Sequence, residues 1–227
     1  LADVDILIYD LQDVGVRFYT YISTLQYAME ACAAEGKILI VLDRPNPNGF
    51  YVDGPVLDTS LRSFVGMQPV PVVYGMTAGE YALMLKGERW FEGAEKLDLK
   101  IIACSGYDHN TRYEMPVPPS PNLKSPNAVY WYPSLCLFEG TVVSVGRGTP
   151  APFEQWGHPA YKGKTPHHFT PVSMTGAGKP LYENQVCYGK RMPESNKGQY
   201  HFTLAPLIEA YNWHPDQEKF FNRNNFF

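Results

Sequence analysis

The sequence predicts an α/β fold, in which a parallel-sheet domain is followed by a smaller α+β lobe. Two short apolar runs flank an amphipathic segment near the beginning of the chain, and a stretch rich in proline interrupts this pattern in the middle. Short strand-like runs then continue to the end. We place the first domain at residues 1–104 and the lobe at residues 105–227, a length that can bury a substantial core.

A strand–helix–strand pattern predicts the beginning of the first domain. Residues 4–9 form a nearly continuous apolar run, typical of a strand covered on both faces, and residues 37–42 form a second one. Between them, residues 20–34 carry a helical apolar stripe that ends at Gly36. Such a unit implies a parallel crossover, and parallel sheets bind ligands beyond the carboxyl ends of their strands.

Two further elements complete the prediction for this domain. Thr77 and Glu80 have the spacing of a capping box, which predicts a helix that runs to about residue 90. We therefore interpret Glu80 as a capping carboxylate rather than a catalytic one. Residues 97–103 alternate between apolar and polar side chains and predict another strand.

The second half of the chain is less regular. Prolines in residues 117–123 exclude a regular helix or a central strand there. This segment is either a rigid linker or a stiff wall of a ligand cleft, in which case Ser120 and Asn122 face the ligand. We predict one helix through residues 135–138 and another near residues 204–213.

Charge and hydropathy exclude two classes of partner. The net charge is −4 and no cluster of lysine and arginine is present, which argues against a nucleic acid or an anionic membrane surface. The longest apolar run, residues 38–42, is too short to span a bilayer, and the first residues lack the pattern of a signal peptide. Because a strand pattern follows almost at once, we expect the chain to begin within a fold.

No metal or cofactor is predicted. The cysteines at positions 32, 104, 136 and 187 are widely spaced, which favours buried free thiols over a zinc or redox site. The histidines show no metal-ligand spacing. A dinucleotide fingerprint and a P-loop are both missing after the first strand, so no nucleotide is implied.

Polar side chains concentrate where the first two predicted strands end. We interpret them as walls of a binding site at the carboxyl edge of the sheet. The alternatives are a local ion pair between Asp13 and Arg17, and a rigid turn in the Pro/Asn/Gly run at residues 45–49. The candidate residues are Asp10, Gln12, Asp13, Arg17, Tyr19 and Tyr21 after the first strand, and Asp43, Arg44 and Asn46 after the second.

Residues 137–149 form a second candidate site. Three glycines in this stretch allow close backbone approach and can present Ser144 and Arg147 at a surface, with Glu139 nearby. The alternative is that the valines at positions 142, 143 and 145 form a short strand, and that Glu139 and Arg147 make a structural ion pair.

Four motifs in the same order give the chain a family resemblance. Residues 10–21, 43–47, 119–122 and 138–149 together resemble the exo-β-N-acetylmuramidases, a family long known only as a domain of unknown function. The resemblance covers essentially the whole chain. It implies a two-lobed protein with a Rossmann-like domain and a smaller α/β lobe, whose cleft holds the sugar.

The resemblance also implies the activity. Members remove a terminal N-acetylmuramic acid from the non-reducing end of peptidoglycan fragments in cell-wall turnover, so the implied ligand is a disaccharide of N-acetylmuramic acid and N-acetylglucosamine or a muropeptide. This implies a bacterial periplasmic or secreted protein. Members usually carry an upstream Gly-Pro-Glu-His-Gly run, whose glutamate is their favoured catalytic residue. That run is absent here, so we expect the Rossmann-like domain to be incomplete at its amino terminus.

Glycosidic cleavage commonly uses two carboxyl groups, and this chain offers three candidates for one of them: Asp10, Asp13 and Glu139. The apolar neighbours of Glu139 are expected to favour the protonated form that a general acid needs. Arg17 or Arg147 is expected to bind the lactyl carboxylate of muramic acid. A carbohydrate-binding protein without catalysis remains the alternative. An ester or amide hydrolase is disfavoured because the serines at positions 120 and 144 lack a nucleophile-elbow motif.

Overall fold

The computed structural model describes residues 1–194 and 201–222 of the chain. It divides into two compact units, Leu1–Tyr113 and Glu114–Phe227. The boundary expected at residue 104 lies within the first unit. Each unit is described by itself below.

The first unit is a parallel sheet with helices packed on it. Its strands have the order β1-β2-β3, and both neighbouring pairs are parallel, with Tyr9 opposite Val41 and Val41 opposite Ile101. The predicted α/β fold is confirmed. The elements are β1 (Ile6–Tyr9), α1 (Tyr21–Glu35), β2 (Ile38–Leu42), α2 (Ala78–Gly87) and β3 (Asp98–Ile102), with short 3₁₀ turns at Thr59–Leu61 and Ala94–Lys96.

Both helices begin or end at the signals found in the sequence. Helix α1 ends at Gly36, which has a φ of 63° and donates its N–H to the carbonyl of Cys32. Helix α2 begins with the predicted capping box: Thr77 Oγ1 accepts from the backbone of Glu80 at 3.2 Å, and Glu80 Oε2 accepts from the backbone of Thr77 at 2.8 Å. The prediction that Glu80 caps a helix is confirmed.

The helices cover one face of the sheet. Leu39 and Val41 of β2 are fully buried in the same core as α1. On the opposite face, Ile6, Ile8 and Ile102 are 46%, 58% and 56% exposed. Within the described residues the first strand is therefore covered on one face, because strand side chains alternate and the two helices bury only every second one.

The second unit contains a small antiparallel sheet. Its strands have the order β4-β6-β5, and Gly157 lies opposite Gly189 in the β4–β6 pair. A Cβ on Gly189 would lie 1.8 Å from the Trp156 carbonyl, so the two backbones require glycine there. The elements are α3 (Pro126–Leu135), β4 (Gln155–His158), β5 (His168–Phe169), β6 (Cys187–Arg191) and α4 (Ala205–Trp213), with 3₁₀ turns at Cys136–Gly140, Pro159–Tyr161 and Gln217–Lys219.

Two predictions for this unit need correction. Helix α3 begins at Pro126, where Ser125 caps it by accepting from the Ala128 N–H, and it continues through Pro133. The helix predicted through residues 135–138 thus lies too late in the chain: proline is favourable at a first helical position and begins α3, whereas Cys136–Gly140 form a 3₁₀ turn. Residues 142–145 form no strand; Ser144 instead makes an isolated antiparallel bridge with Gly157.

Helix α4 packs on this sheet through aromatic rings. Tyr161 Oη donates to the carbonyl of Ala210 at 2.8 Å, and the Trp156 and Trp213 ring centroids are 5.3 Å apart. The imidazole centroids of His158 and His214 are 4.9 Å apart. Burial, with the nearby His214, lowers the pKa of His158 to about 4.

We expect the second unit to lose stability as the pH falls from about 6.5, the ordinary pKa of histidine, towards 4. The folded state holds His158 neutral, so the unfolded chain takes up a proton first and is favoured in acid. Urea unfolding followed by tryptophan fluorescence from pH 7.5 to 4.5 measures this loss. The variant His158→Gln should show a smaller loss over this range, whereas His168→Gln, which alters an exposed histidine, should behave like the wild type. Equal slopes for both variants would contradict the expectation.

Candidate active site

An exposed ion pair lies at the carboxyl edge of the parallel sheet. Arg44 Nε, after β2, donates to Asp10 Oδ1, after β1, at 2.7 Å, and the two side chains are 42% and 47% exposed. An ion pair this exposed contributes little to stability, roughly 0–1 kcal/mol. Both groups are accessible to a ligand at the edge where parallel sheets bind ligands.

Asp13 lies beneath this edge and is buried. Its Oδ2 accepts from the backbone of Gly15 at 2.7 Å and from the hydroxyl of Tyr74, whereas its Oδ1 has no hydrogen-bond partner among the described residues. Burial raises the pKa of Asp13 to about 6, although these hydrogen bonds oppose the shift. Asp13 therefore holds the turn at Gly15 in place.

Asn46 joins the two turns that follow β1 and β2. It is 3% exposed; its Nδ2 donates to the carbonyl of Met76, and its Oδ1 accepts from the backbone of Asn48, both at 2.8 Å. Gly15 packs directly against this amide, since a Cβ there would lie 2.1 Å from Asn46 Oδ1. Gln12 Nε2 adds a bond of 2.9 Å to the Pro45 carbonyl. The Pro/Asn/Gly run is thus the rigid turn of the alternative interpretation, and it shapes the edge of the sheet.

Asp43 fastens helix α2 to the end of β2. Its Oδ2 accepts from Thr77 Oγ1 at 2.6 Å, and its Oδ1 accepts from the backbone of Gly79 at 2.8 Å. A carboxylate at a helix N-terminus is stabilised by the unpaired N–H groups and the helix dipole. A structural role therefore accounts for these contacts of Asp43.

Arg17 is 6% exposed, and one of its guanidinium nitrogens, Nη1, donates to the carbonyls of Val70 and Pro55. Burial lowers its pKa. The local ion pair with Asp13 considered above does not form, because Asp13 bonds to Tyr74 and Gly15. Arg17 thus anchors a loop in the first unit.

Tyr19 and Tyr21 lie between β1 and the first turn of α1. Their rings meet edge to face with centroids 4.9 Å apart, and both are half-buried. Burial is the main cause that raises the pKa of Tyr19, so its phenol stays protonated at neutral pH. Both rings stay partly exposed, and their predicted place in the binding site stays a prediction.

In the second unit, Glu139 and Arg147 form an ion pair. Glu139 Oε1 accepts from Arg147 Nε at 2.9 Å and from Nη2 at 2.6 Å, and the carboxylate and guanidinium side chains are 27% and 39% exposed. The thiol of Cys136 contacts Glu139 Oε2 at 3.5 Å. The ion pair of the alternative interpretation is present, and the catalytic role of Glu139 stays a prediction.

Two glycines present Arg147. Gly146 and Gly148 have φ values of 77° and 82°, and a Cβ on either would lie within 2.8 Å of a packed neighbour. Ser144, which is 3% exposed, stabilises this turn because its Oγ accepts from the Gly146 N–H at 3.2 Å. Arg147 is the side chain of this turn that reaches the surface.

The proline-rich segment carries the last two candidates. Ser120 Oγ accepts from the backbone of Asn122 at 3.2 Å, and Asn122 Nδ2 donates to the Gly176 carbonyl at 2.9 Å. Asn122 is 8% exposed, whereas Ser120 is half-buried. Both side chains hold local backbone, and their predicted ligand contacts stay predictions.

Two residues that follow β3 also reach this edge, although they were not among the predicted candidates. Tyr107 Oη donates to the Asn46 carbonyl at 3.1 Å, and His109 contacts Glu80 and Gly49 at the same edge of the sheet. The rule that ligands bind beyond the carboxyl ends of parallel strands was applied only to the first two strands. Applied to β3, it identifies these residues as well. Tyr74, the partner of Asp13, gave no comparable signal because it lies in a loop far along the chain.

The described residues contain no group of three or more His, Cys, Asp or Glu side chains arranged to hold a metal ion. None of the helices in residues 1–194 and 201–222 is long and apolar enough to cross a membrane.

Both halves of the chain match models of one protein family. Residues 1–127 match the family model described as exo-beta-N-acetylmuramidase NamZ, N-terminal, and residues 130–227 match the corresponding C-terminal model. The chain is 34% identical over its whole length to peptidoglycan beta-N-acetylmuramidase NamZ of Bacillus subtilis (strain 168), and it spans 58% of that protein.

Two solved structures are also similar, both described as DUF1343 family proteins from Bacteroides fragilis NCTC 9343. One is 47% identical with a TM-score of 0.92, and the match covers 96% of this chain and 63% of that one. The other is 27% identical with a TM-score of 0.80, and covers 96% and 64%. The chain thus spans less than two thirds of the length of each relative.

Proposed function

The chain belongs to the exo-β-N-acetylmuramidase NamZ family, and from this membership we propose that it is a glycoside hydrolase that removes terminal N-acetylmuramic acid from the non-reducing end of peptidoglycan fragments. The observation that carries the proposal is that both family models match, in order, along nearly the whole chain. The curated relative is named as a peptidoglycan beta-N-acetylmuramidase. The parallel sheet of the first unit fits the Rossmann-like domain expected for such a protein.

The proposed chemistry needs a carboxyl group that a sugar can reach. Asp13 is buried and bonded to Tyr74, so we assign it to positioning the edge of the sheet. Asp10 and Glu139 are partly exposed, and each contacts one arginine. We propose Glu139 as the carboxylate of this chain that acts at the glycosidic bond, with Arg147 setting its orientation.

We propose that Arg147, and not Arg17, binds the lactyl carboxylate that distinguishes muramic acid from glucosamine. Arg17 is buried and donates to two backbone carbonyls, whereas the side chain of Arg147 is 39% exposed on a turn between two glycines. A guanidinium also has more donors than its contact with Glu139 uses, so a ligand carboxylate can bind beside Glu139.

The variant Arg147→Gln is expected to raise the KM for a muramoside about 10- to 100-fold, the effect of losing a charge-assisted hydrogen bond. Because Arg147 also orients Glu139, kcat should fall for both substrates, whereas the KM for a glucosaminide without the lactyl group should keep its wild-type value. Arg191→Gln is the matched control, because Arg191 is exposed in the same unit and pairs with Glu154 at 3.5 Å. An equal rise in KM for both substrates would contradict the assignment.

The proposed activity is tested by incubating the whole protein that contains this chain with the disaccharide MurNAc-β-1,4-GlcNAc. Mass spectrometry should detect release of free N-acetylmuramic acid. Saturable binding of the disaccharide without release would instead indicate a carbohydrate-binding protein.

We further propose that the protein works in the periplasm or outside the cell, because intact peptidoglycan lies outside the cytoplasmic membrane. Fractionation of the source bacterium with an antibody against this chain tests the proposal. Recovery with a cytoplasmic marker would contradict it.

A further inference from the structure

His109 lies between two hydrogen-bond acceptors at the carboxyl edge of the first sheet. Its Nδ1 is 2.8 Å from the Gly49 carbonyl oxygen, and its Nε2 is 2.9 Å from Glu80 Oε1. A neutral imidazole has one N–H and can donate to only one acceptor. The geometry therefore favours the imidazolium, which donates to both.

The two acceptors belong to different elements. Gly49 closes the turn after β2, where its N–H donates to the Asn46 carbonyl at 3.0 Å. Glu80 lies in the first turn of α2, where its other oxygen accepts from the Thr77 N–H. The imidazolium of His109 thus fastens the turn at residues 46–49 to the N-terminus of α2.

Tyr107 reinforces this contact. Its hydroxyl donates to the same Asn46 carbonyl at 3.1 Å, and a Cβ on Gly49 would lie 2.2 Å from that hydroxyl. The segment that follows β3 therefore packs directly against the turn at residues 46–49. The side chain of His109 is nevertheless 48% exposed, so its proton exchanges with solvent.

We propose that His109 is a positioning residue for sugar binding: its imidazolium holds the turn at residues 46–49 against α2, and its deprotonation loosens the turn and weakens substrate binding at alkaline pH. Asn46, in the same turn, packs against Gly15, so the loosening reaches the edge that carries Asp10. That the ligand is a sugar rests on the proposed function, whereas the hydrogen bonds of His109 to Gly49 and Glu80 do not depend on it.

The charges around His109 agree with this role. Glu80 on α2 and Asp108 on its own segment are both acidic, and Asp43 after β2 lies close enough to act on Tyr107. The hydrogen bond to Gly49 and then that to Glu80 raise the pKa of His109 above its ordinary value. Because the pKa is raised, the imidazolium makes both hydrogen bonds below about pH 6.5. One of them is lost as the pH rises through the raised pKa.

The first arm of the test is an NMR titration of the whole protein, which follows the His109 ring and the backbone amides of Gly49 and Phe50. We expect the ring to titrate above pH 6.5 and the amides to move with the same midpoint. In Glu80→Gln, which leaves the ring intact and removes one acceptor charge, the midpoint should fall. Amide signals that move independently of the ring would overturn the proposal.

The second arm measures KM and kcat for the disaccharide between pH 6 and 9. We expect the wild-type KM to rise about five- to tenfold, with kcat little changed, and His109→Gln to show the high KM at every pH. His168→Gln, an exposed histidine in the other unit, should keep the wild-type profile. A His109→Gln profile equal to that of His168→Gln would overturn the positioning role. If the protein releases no N-acetylmuramic acid, the proposed function fails, and the NMR arm still decides whether the contact exists.

Discussion

Replacing Gly15 by alanine is expected to destabilise the first unit by roughly 2–4 kcal/mol and to disrupt the edge of its sheet. Gly15 has a φ of 73°, and a Cβ would lie 2.1 Å from Asn46 Oδ1 and 2.4 Å from Nδ2. The amide of Asn46 cannot move aside without losing its bonds to Met76 and Asn48. Backbone strain and overpacking therefore act together.

Gly36 is the matched control for this variant. Its φ of 63° is similar, but nothing lies within 4 Å of a Cβ there. Gly36→Ala should show only the strain of a left-handed residue, about 1 kcal/mol. Urea unfolding followed by far-ultraviolet circular dichroism compares the two, and equal destabilisation would show that Asn46 yields to the added methyl.

Replacing Glu139 by glutamine is expected to lower kcat for release of N-acetylmuramic acid about 10²- to 10⁴-fold, the usual contribution of a general acid or base. The amide keeps the size of the side chain and can still accept a hydrogen bond from Arg147. Loss of the proton-carrying group should also remove one limb of the pH dependence of kcat.

Glu209→Gln is the control for the loss of an ion pair. Glu209 pairs with Lys190 at 2.5 Å in the same unit, and its side chain is 34% exposed, compared with 27% for Glu139. Neither variant should change the free energy of unfolding by more than about 1 kcal/mol. If Glu139→Gln retained kcat within a few fold, the Glu139–Arg147 contact would be structural and the catalytic carboxyl group would lie elsewhere.

Local signals in the sequence were sufficient for several elements. Gly36 ends α1 because a left-handed residue is needed there, and the Thr77–Glu80 capping box begins α2 because both side chains satisfy backbone groups within one turn. Nearly continuous apolar runs likewise located β1 and β2, and alternating apolar side chains located β3. These features depend on neighbours in sequence, so no tertiary information was needed.

The roles of individual polar residues required the folded chain. Asp10 and Asp13 are three positions apart and were equivalent as candidates, but one is exposed and paired with Arg44 and the other is buried against Tyr74. Arg17 and Arg147 were also equivalent, and burial separates them. For Asp10, Asp13 and Arg17 the deciding partner is distant in sequence.

The sequence by itself determined the family, the order of the helices and strands in the first unit, and two stretches that combine polar residues with glycines. Only the tertiary structure decided which of these residues hold the backbone and which reach solvent, and it placed His109 between Gly49 and Glu80. The physical reason is that helix caps and strand alternation are short-range interactions, whereas burial and hydrogen-bond partners depend on contacts between segments far apart along the chain.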